Sequence, residues 1–170
     1  MPRATLRSFL PYLIVTALML TAVTGCGFQP RGSTAGLNSV PSPLYISGIG
    51  RYSALHRAIE RELVRSGGSL AQSAADSSVV LHVIRHESDA RVLSVDGRNK
   101  AVENELEELA RIEVRRGATL VAEPQTVRVL RIQFRPSSEI LASERESEQV
   151  RDDMRRELAQ RILQRVAAQH

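Results

Sequence analysis

The chain has 170 residues, 42% of them hydrophobic and 25% charged, with 23 basic against 19 acidic residues and a formal net charge of +4. That length suits a single domain, and so mild a charge argues against nucleic acid as a partner. There is no Trp, and aromatics make up 4% of residues, so any core must be built from Leu, Ile, Val and Ala. A single cysteine, Cys26, excludes an intramolecular disulfide; it must be inert, paired with another chain, ligated or chemically modified.

Residues 1–25 carry Arg3 and Arg7, no acidic residue and an apolar run from Phe9 to Val23. A charged start, an apolar middle and a small-residue end describe a secretory signal. The run is shorter than the ~20 apolar residues that a spanning helix needs. It closes on Val23-Thr24-Gly25-Cys26, which resembles the bacterial lipobox. That resemblance implies a diacylglyceryl thioether on Cys26, cleavage after Gly25 and an acylated amino terminus. By resemblance to enterobacterial lipoprotein sorting, Gly27 in place of Asp implies the outer membrane, facing the periplasm. Losing Arg3 and Arg7 would lower the net charge from +4 to +2. Residues 26–43, rich in Pro, Gly and Ser beyond Cys26, form a flexible tether, and 44–170 the folded domain.

"LYISGIG", 44–50, is a first strand that ends in glycines. In "YSALHRAIERELVRSGG", Leu55, Ile59 and Leu63 recur every four residues beside Ala58, with Ser53 as cap and Gly67-Gly68 as stop: an amphipathic helix. Arg57, Arg61 and Arg65 line another of its faces, either simply solvated or binding anions. "SSVVLHVIRHESDARVL", 77–93, is rich in β-formers and leads to Asp96-Gly97, a hairpin signal. Beyond it Leu106, Ala110, Ile112 and Val114 alternate with Glu105, Glu107, Arg111, Glu113 and Arg115, the pattern of a strand with one covered face. Gly117 opens the next turn. In 125–136, Leu130, Ile132 and Phe134 share the face expected to be buried, with Arg131, Gln133 and Arg135 on the other and Pro136 as terminator. A last long helix carries Val150, Met154, Leu158, Ile162 and Val166 at four-residue spacing, widened by Leu163, with Asp152–Arg156 and Glu157–Arg161 as i,i+4 pairs.

The fold class is therefore α+β: a two-layer sandwich of about four strands with two helices on one face, in the order β-α-β-β-β-α. The core between sheet and last helix should hold Leu130, Ile132, Leu158 and Ile162, leaving the other sheet face polar and Arg-rich. Catalytic chemistry finds no footing. There is no paired-carboxylate motif, no phosphate loop and no activated Ser or Cys. His82 and His86, near Glu87 and Asp89, sit four apart on a strand, ~13 Å, too far to share one metal ion. His56 stands alone on a helix. No enzyme, metal or cofactor is expected beyond the lipid on Cys26.

With these elements placed, the chain resembles the LptE (RlpB) family of lipopolysaccharide-assembly lipoproteins. The resemblance rests on "GCGFQPRG" at the lipidated end, "LHRAIERELVRSGGSL", the Asp96-Gly97 hairpin and "EILASERESEQVRDDMRRELAQRIL". It implies a lipid-anchored protein of the Gram-negative outer membrane, on the periplasmic side and within the lumen of the LptD β-barrel. In that one-to-one complex it would plug the barrel, help it assemble and bind lipopolysaccharide. The family's lipopolysaccharide-contacting basic positions fall on Arg145 and on Val95, for which Arg98, just past the turn, is the nearest basic substitute. A different class, an auxiliary lipoprotein of an ABC-type lipid transporter, shares the anchor and an α/β domain, and co-purifying partners would separate the two.

Overall fold

The computed structural model describes residues 40–134 and 140–169, without side chains for 140–144. Cys26, the expected signal and most of the tether lie outside the described residues, as do Arg135 and Pro136. The last tether residues belong to the fold instead: Val40 is buried, and the carbonyl of Ser42 accepts a hydrogen bond from Ser78 Oγ at 2.8 Å.

The elements are β1 (Leu44–Ser47), α1 (Ala54–Arg65), β2 (Val79–Val95), β3 (Ala101–Arg116), β4 (Thr119–Phe134) and α2 (Ile140–Ala168). The strands form one sheet in the order β1-β2-β3-β4, with β1 parallel to β2 and the other pairs antiparallel. The expected class and element order hold. Local chemistry places the boundaries. Ser53 Oγ accepts the His56 amide at 3.2 Å at the start of α1. At its end Gly67 adopts φ 84 while Gly68 N–H returns to the Leu63 carbonyl at 2.9 Å, a glycine stop that satisfies an orphaned carbonyl. Gly117, at φ 58, occupies the first position of the two-residue turn from β3 to β4. Gly48, at φ 86, passes so close to β2 that a Cβ there would collide with the Val83 carbonyl.

One sheet face is covered. Leu44 and Ile46, then Val79, Leu81 and Val83, then Leu106, Ala110, Ile112 and Val114, then Val127 and Val129 point at the helices. The helices return Leu55, Ala58, Ile59 and Leu63 from α1 and Met154, Leu158, Ala159, Ile162, Leu163 and Val166 from α2. This cluster holds no aromatic residue. α2 also makes the expected Glu157–Arg161 pair at 2.6 Å, but Asp152 pairs with Arg155 and Arg156 with Asp153.

Strand β4 is inverted relative to expectation. Leu130, Ile132 and Phe134 are 47%, 69% and 63% exposed, and Leu130 and Ile132 are not core residues. Register explains why. Residues directly opposite across an antiparallel pair share a face, and Leu106, which the helices cover, stands opposite Arg131, whereas Glu105 and Glu107 stand opposite Ile132 and Leu130. The strand stays in phase from Gln125 to Phe134, because its register shifts fall earlier, around Val114. Val127 and Val129 therefore set the inward phase, and Arg131 and Gln133 follow them inward. The strand also begins earlier than expected, at Thr119, and carries Pro124, which an edge strand tolerates.

Leu158 and Ile132 make a direct comparison. Leu158→Ala should cost about 2–5 kcal/mol in urea melts, as buried large-to-small changes do. Ile132→Ala should stay within about 0.5 kcal/mol, as an exposed change does. Equal losses at the two positions would refute the inverted register.

Candidate functional site: the sheet end beyond the core

β2, β3 and β4 run on past the apolar stripe of α2, and polar side chains take over the contact between helix and sheet. At that boundary lies Glu108, 0% exposed. Its Oε2 meets His86 Nε2 at 2.9 Å, its Oε1 accepts from Ser88 Oγ at 2.8 Å, and Arg155 Nε approaches Oε1 to 3.2 Å. Arg151 Nη1 donates to Ser88 Oγ at 2.8 Å, which clips α2 to β2; the Arg155–Glu108 ion pair ties α2 to β3, and within the helix Arg155 Nη1 donates to Asp152 Oδ1 at 2.9 Å. Further out, Arg131 pairs with Glu157 at 3.2 Å, and Ser147 Oγ donates to Gln133 Oε1 at 3.2 Å. Glu108 had a sequence signal: it sits midway between Leu106 and Ala110, on their face. A bulge between Val83 and Arg85 turns His86 to the helix side, while His82 stays on the other face against Ser47 Oγ at 3.0 Å.

The hairpin tip is built around Asp96. Its Oδ1 accepts the amides of Arg98 and Lys100, both at 2.9 Å. The main chain closes the turn with Asn99 N–H to the Asp96 carbonyl and Asp96 N–H to the Lys100 carbonyl, at 2.9 and 2.8 Å. The hairpin falls where Asp96-Gly97 announced it, but Asn99, not Gly97, takes positive φ, at 61. This is a three-residue loop of the bulged kind. The Lys100 and then the Arg98 amide hold the Asp96 carboxyl below its ordinary range, helped by the Lys100 charge and opposed by slight desolvation.

Arg98 and Lys100 project from this tip, both exposed. Arg145 is exposed in the early turns of α2, two residues before Ser147. Ser147 lies over Gln133, in the same cross-strand row as Asn104 and Val92. The structure thus brings Arg98 and Arg145 to one end of the molecule, and no hydrogen bond or ion pair among the described residues joins them.

The open sheet face is polar and carries Arg85, Arg91, Arg111 and Arg128, as expected, but Arg131 turns to the helix side and carboxylates match the arginines. Its centre is a carboxylate row on β3, Glu103, Glu105 and Glu107, flanked by Glu87 and Asp89 on β2 and by Leu130, Ile132 and Phe134 on β4. Arg91 pairs with Glu105 at 2.8 Å, Arg128 with Glu107 at 3.6 Å, and Arg85 with Glu87. Chemically it is a mixed surface: neutralised charge in the middle and an apolar margin along β4.

Residues 42–166 match the model of the LptE family, described as lipopolysaccharide-assembly. Rare lipoprotein B from Shewanella oneidensis is 26% identical, with 74% of this chain and 93% of that one aligned at a TM-score of 0.63. A lipoprotein B from Nitrosomonas europaea shares the fold at 22% identity over 84% and 91% of the two chains, TM-score 0.66. So does a minor lipoprotein from Acinetobacter baumannii at 17% identity over 74% and 90%, TM-score 0.60. No curated protein matches the chain.

Two tests address the polar parts. Glu108→Ala, which leaves His86 and Arg155 facing a hole, should cost about 3–5 kcal/mol in denaturant melts, and Glu108→Gln should cost less. At the tip, a depressed carboxyl means that Asp96 contributes stability above its unfolded-state pKa, and that this is lost as pH falls through its lower folded value. Amide-exchange protection of Arg98 and Lys100 should therefore vanish below the ordinary carboxylate range, and Asp96→Ala should abolish it at neutral pH.

Proposed function

The chain belongs to the LptE family of lipopolysaccharide-assembly proteins, and on that premise we propose that it is an outer-membrane lipoprotein acting with the LptD β-barrel to assemble lipopolysaccharide at the cell surface. It is anchored through acylated Cys26, sits in the barrel lumen as plug and assembly aid, and binds lipopolysaccharide. The observation that carries this reading is the extent of the family match, which takes in β1 through most of α2.

The surface is compatible with that role. The lumen of an outer-membrane barrel is polar and hydrated. An open face of paired carboxylates and arginines tolerates such surroundings, and the apolar margin of Leu130, Ile132 and Phe134 offers area to a wall or an acyl chain. At the far sheet end Arg98 and Arg145, with Lys100 beside the first, present cations without buried partners. Guanidinium forks suit the phosphates of lipid A. The family is one of assembly rather than of catalysis, and the reading assigns no catalytic residue.

Intact-mass measurement of the membrane-extracted protein should show loss of residues 1–25 and added lipid on Cys26. Affinity capture from detergent-solubilised outer membrane should retain one barrel per chain. Recovery of an inner-membrane ABC-type transporter in its place would overturn the assignment. Charge-assisted contacts to phosphate are worth ~1.5–3 kcal/mol each. Arg98→Asp with Arg145→Asp should therefore weaken lipopolysaccharide binding at least about tenfold, leaving melting and barrel capture unchanged. Arg61→Asp, at an exposed position of α1, is the control and should alter neither.

A further inference from the structure

At the opposite end of the sheet, β1, the first turn of α1 and the segment 70–72 enclose a cavity of about 270 Å³. It lies ~40 Å along β2 from the hairpin tip, at the strand rise per residue. Its polar lining is Tyr45, Arg51, His56 and Gln72, and its apolar lining includes Ile49 and Leu70. No carboxylate lines it. His56 is only 6% exposed, and its Nδ1 is fully enclosed with no hydrogen-bond partner in the protein. An unpaired buried polar atom is costly, so a histidine that keeps one while lining a cavity needs an explanation. Arg51 makes no ion pair among the described residues.

We propose that this cavity binds a small oxyanion, a phosphate monoester or a carboxylate, held by Arg51 and His56 with its short apolar part against Ile49 and Leu70. Sign and size both point there. Arg51 offers a guanidinium fork. His56 sits in the first turn of a twelve-residue helix, where the partial positive charge of the macrodipole favours anions. Tyr45 and Gln72 add a hydroxyl and an amide. The Arg51 guanidinium is the one formal charge in the lining, so a bound group of opposite sign is favoured, and an imidazole whose Nδ1 is enclosed can meet it through its other ring nitrogen, Nε2. Burial disfavours the imidazolium most, Glu60 one turn along α1 opposes this, and the Arg51 charge adds a smaller push in the direction of burial. The imidazole then acts as a neutral donor, and Arg51 supplies the charge. A cavity just below the ~300–1,000 Å³ of sites for drug-sized ligands suits a small ligand or a headgroup. The site is separate from the Arg98 and Arg145 end, and its failure would leave the proposed function standing.

The test is an NMR titration of the folded domain with inorganic phosphate, with butyrate and with dihexanoyl phosphatidic acid below its micelle concentration. Saturable shifts should appear at the His56 ring and the Arg51 side chain with dissociation constants of about 1–10 mM. Arg51→Gln, an exposed change that does not threaten folding, should weaken binding at least about fivefold, and Arg57→Gln should not. Stronger binding of the lipid than of phosphate assigns the site to a headgroup, and equal binding assigns it to a free anion. The inference falls if no probe saturates by about 50 mM. It falls equally if Arg51→Gln binds like the parent, or if shifts spread over all exposed arginines.

Discussion

The molecule depends on a mismatch of lengths. Strands of sixteen or seventeen residues extend ~55 Å, whereas the apolar stripe of α2 from Met154 to Val166 covers only ~18 Å. A sheet face longer than its apolar lid must be closed by other means or left wet. Here the compact half is aliphatic and closed by both helices. The far half is closed by Glu108, Arg155, Arg131, Glu157, Gln133 and Ser147. The exposed end owes its shape to polar contacts, which are more directional than apolar ones.

Glu108 shows what such contacts demand. A carboxylate with no exposed surface is tolerated only when it is paired and hydrogen-bonded: His86 and Ser88 of β2 bond its oxygens, and the Arg155 guanidinium of α2 balances its charge. The bulge in β2 before Arg85 is part of the same solution, because without the extra residue His86 would point to the open face. One sheet irregularity and one helix register are thereby fixed together.

Where local pattern and tertiary demand coincided, the sequence was a sufficient guide. Leu55, Ile59 and Leu63, with Ser53 before them and Gly67 after, define α1; Met154, Leu158 and Ile162 define the buried side of α2; Asp96 marks the tip. β4 escapes a local reading because its apolar residues change phase at Val129-Leu130. Nothing local says whether Val127 or Ile132 sets the inward side; the neighbouring strand decides, through Leu106 opposite Arg131. The cavity beside His56 was likewise hidden, since it is assembled by β1, α1 and the segment 70–72, whose chemistry is unremarkable taken singly. Arg98 and Arg145 were singled out by resemblance, and only the fold shows that they share an end.

The two long edges of the sheet are blunted in different ways. On β4, Pro124 removes a donor, and Arg161 Nη1 occupies the main-chain carbonyl of Arg128 at 2.7 Å. On β2, the partner β1 reaches only from Val79 to His82, and the remaining edge carries Arg85, Glu87, Asp89 and Arg91 at alternate positions. Two copies of that edge laid antiparallel about Ser88 would set Arg85 against Arg91 and Glu87 against Asp89. A shift to a centre at Asp89 relieves the arginines but opposes Asp89 to itself. Like charges directly opposite destabilise such pairs. In those two registers the ribbon meets like charge on itself, one of the ways in which an exposed edge is kept from pairing with its own kind.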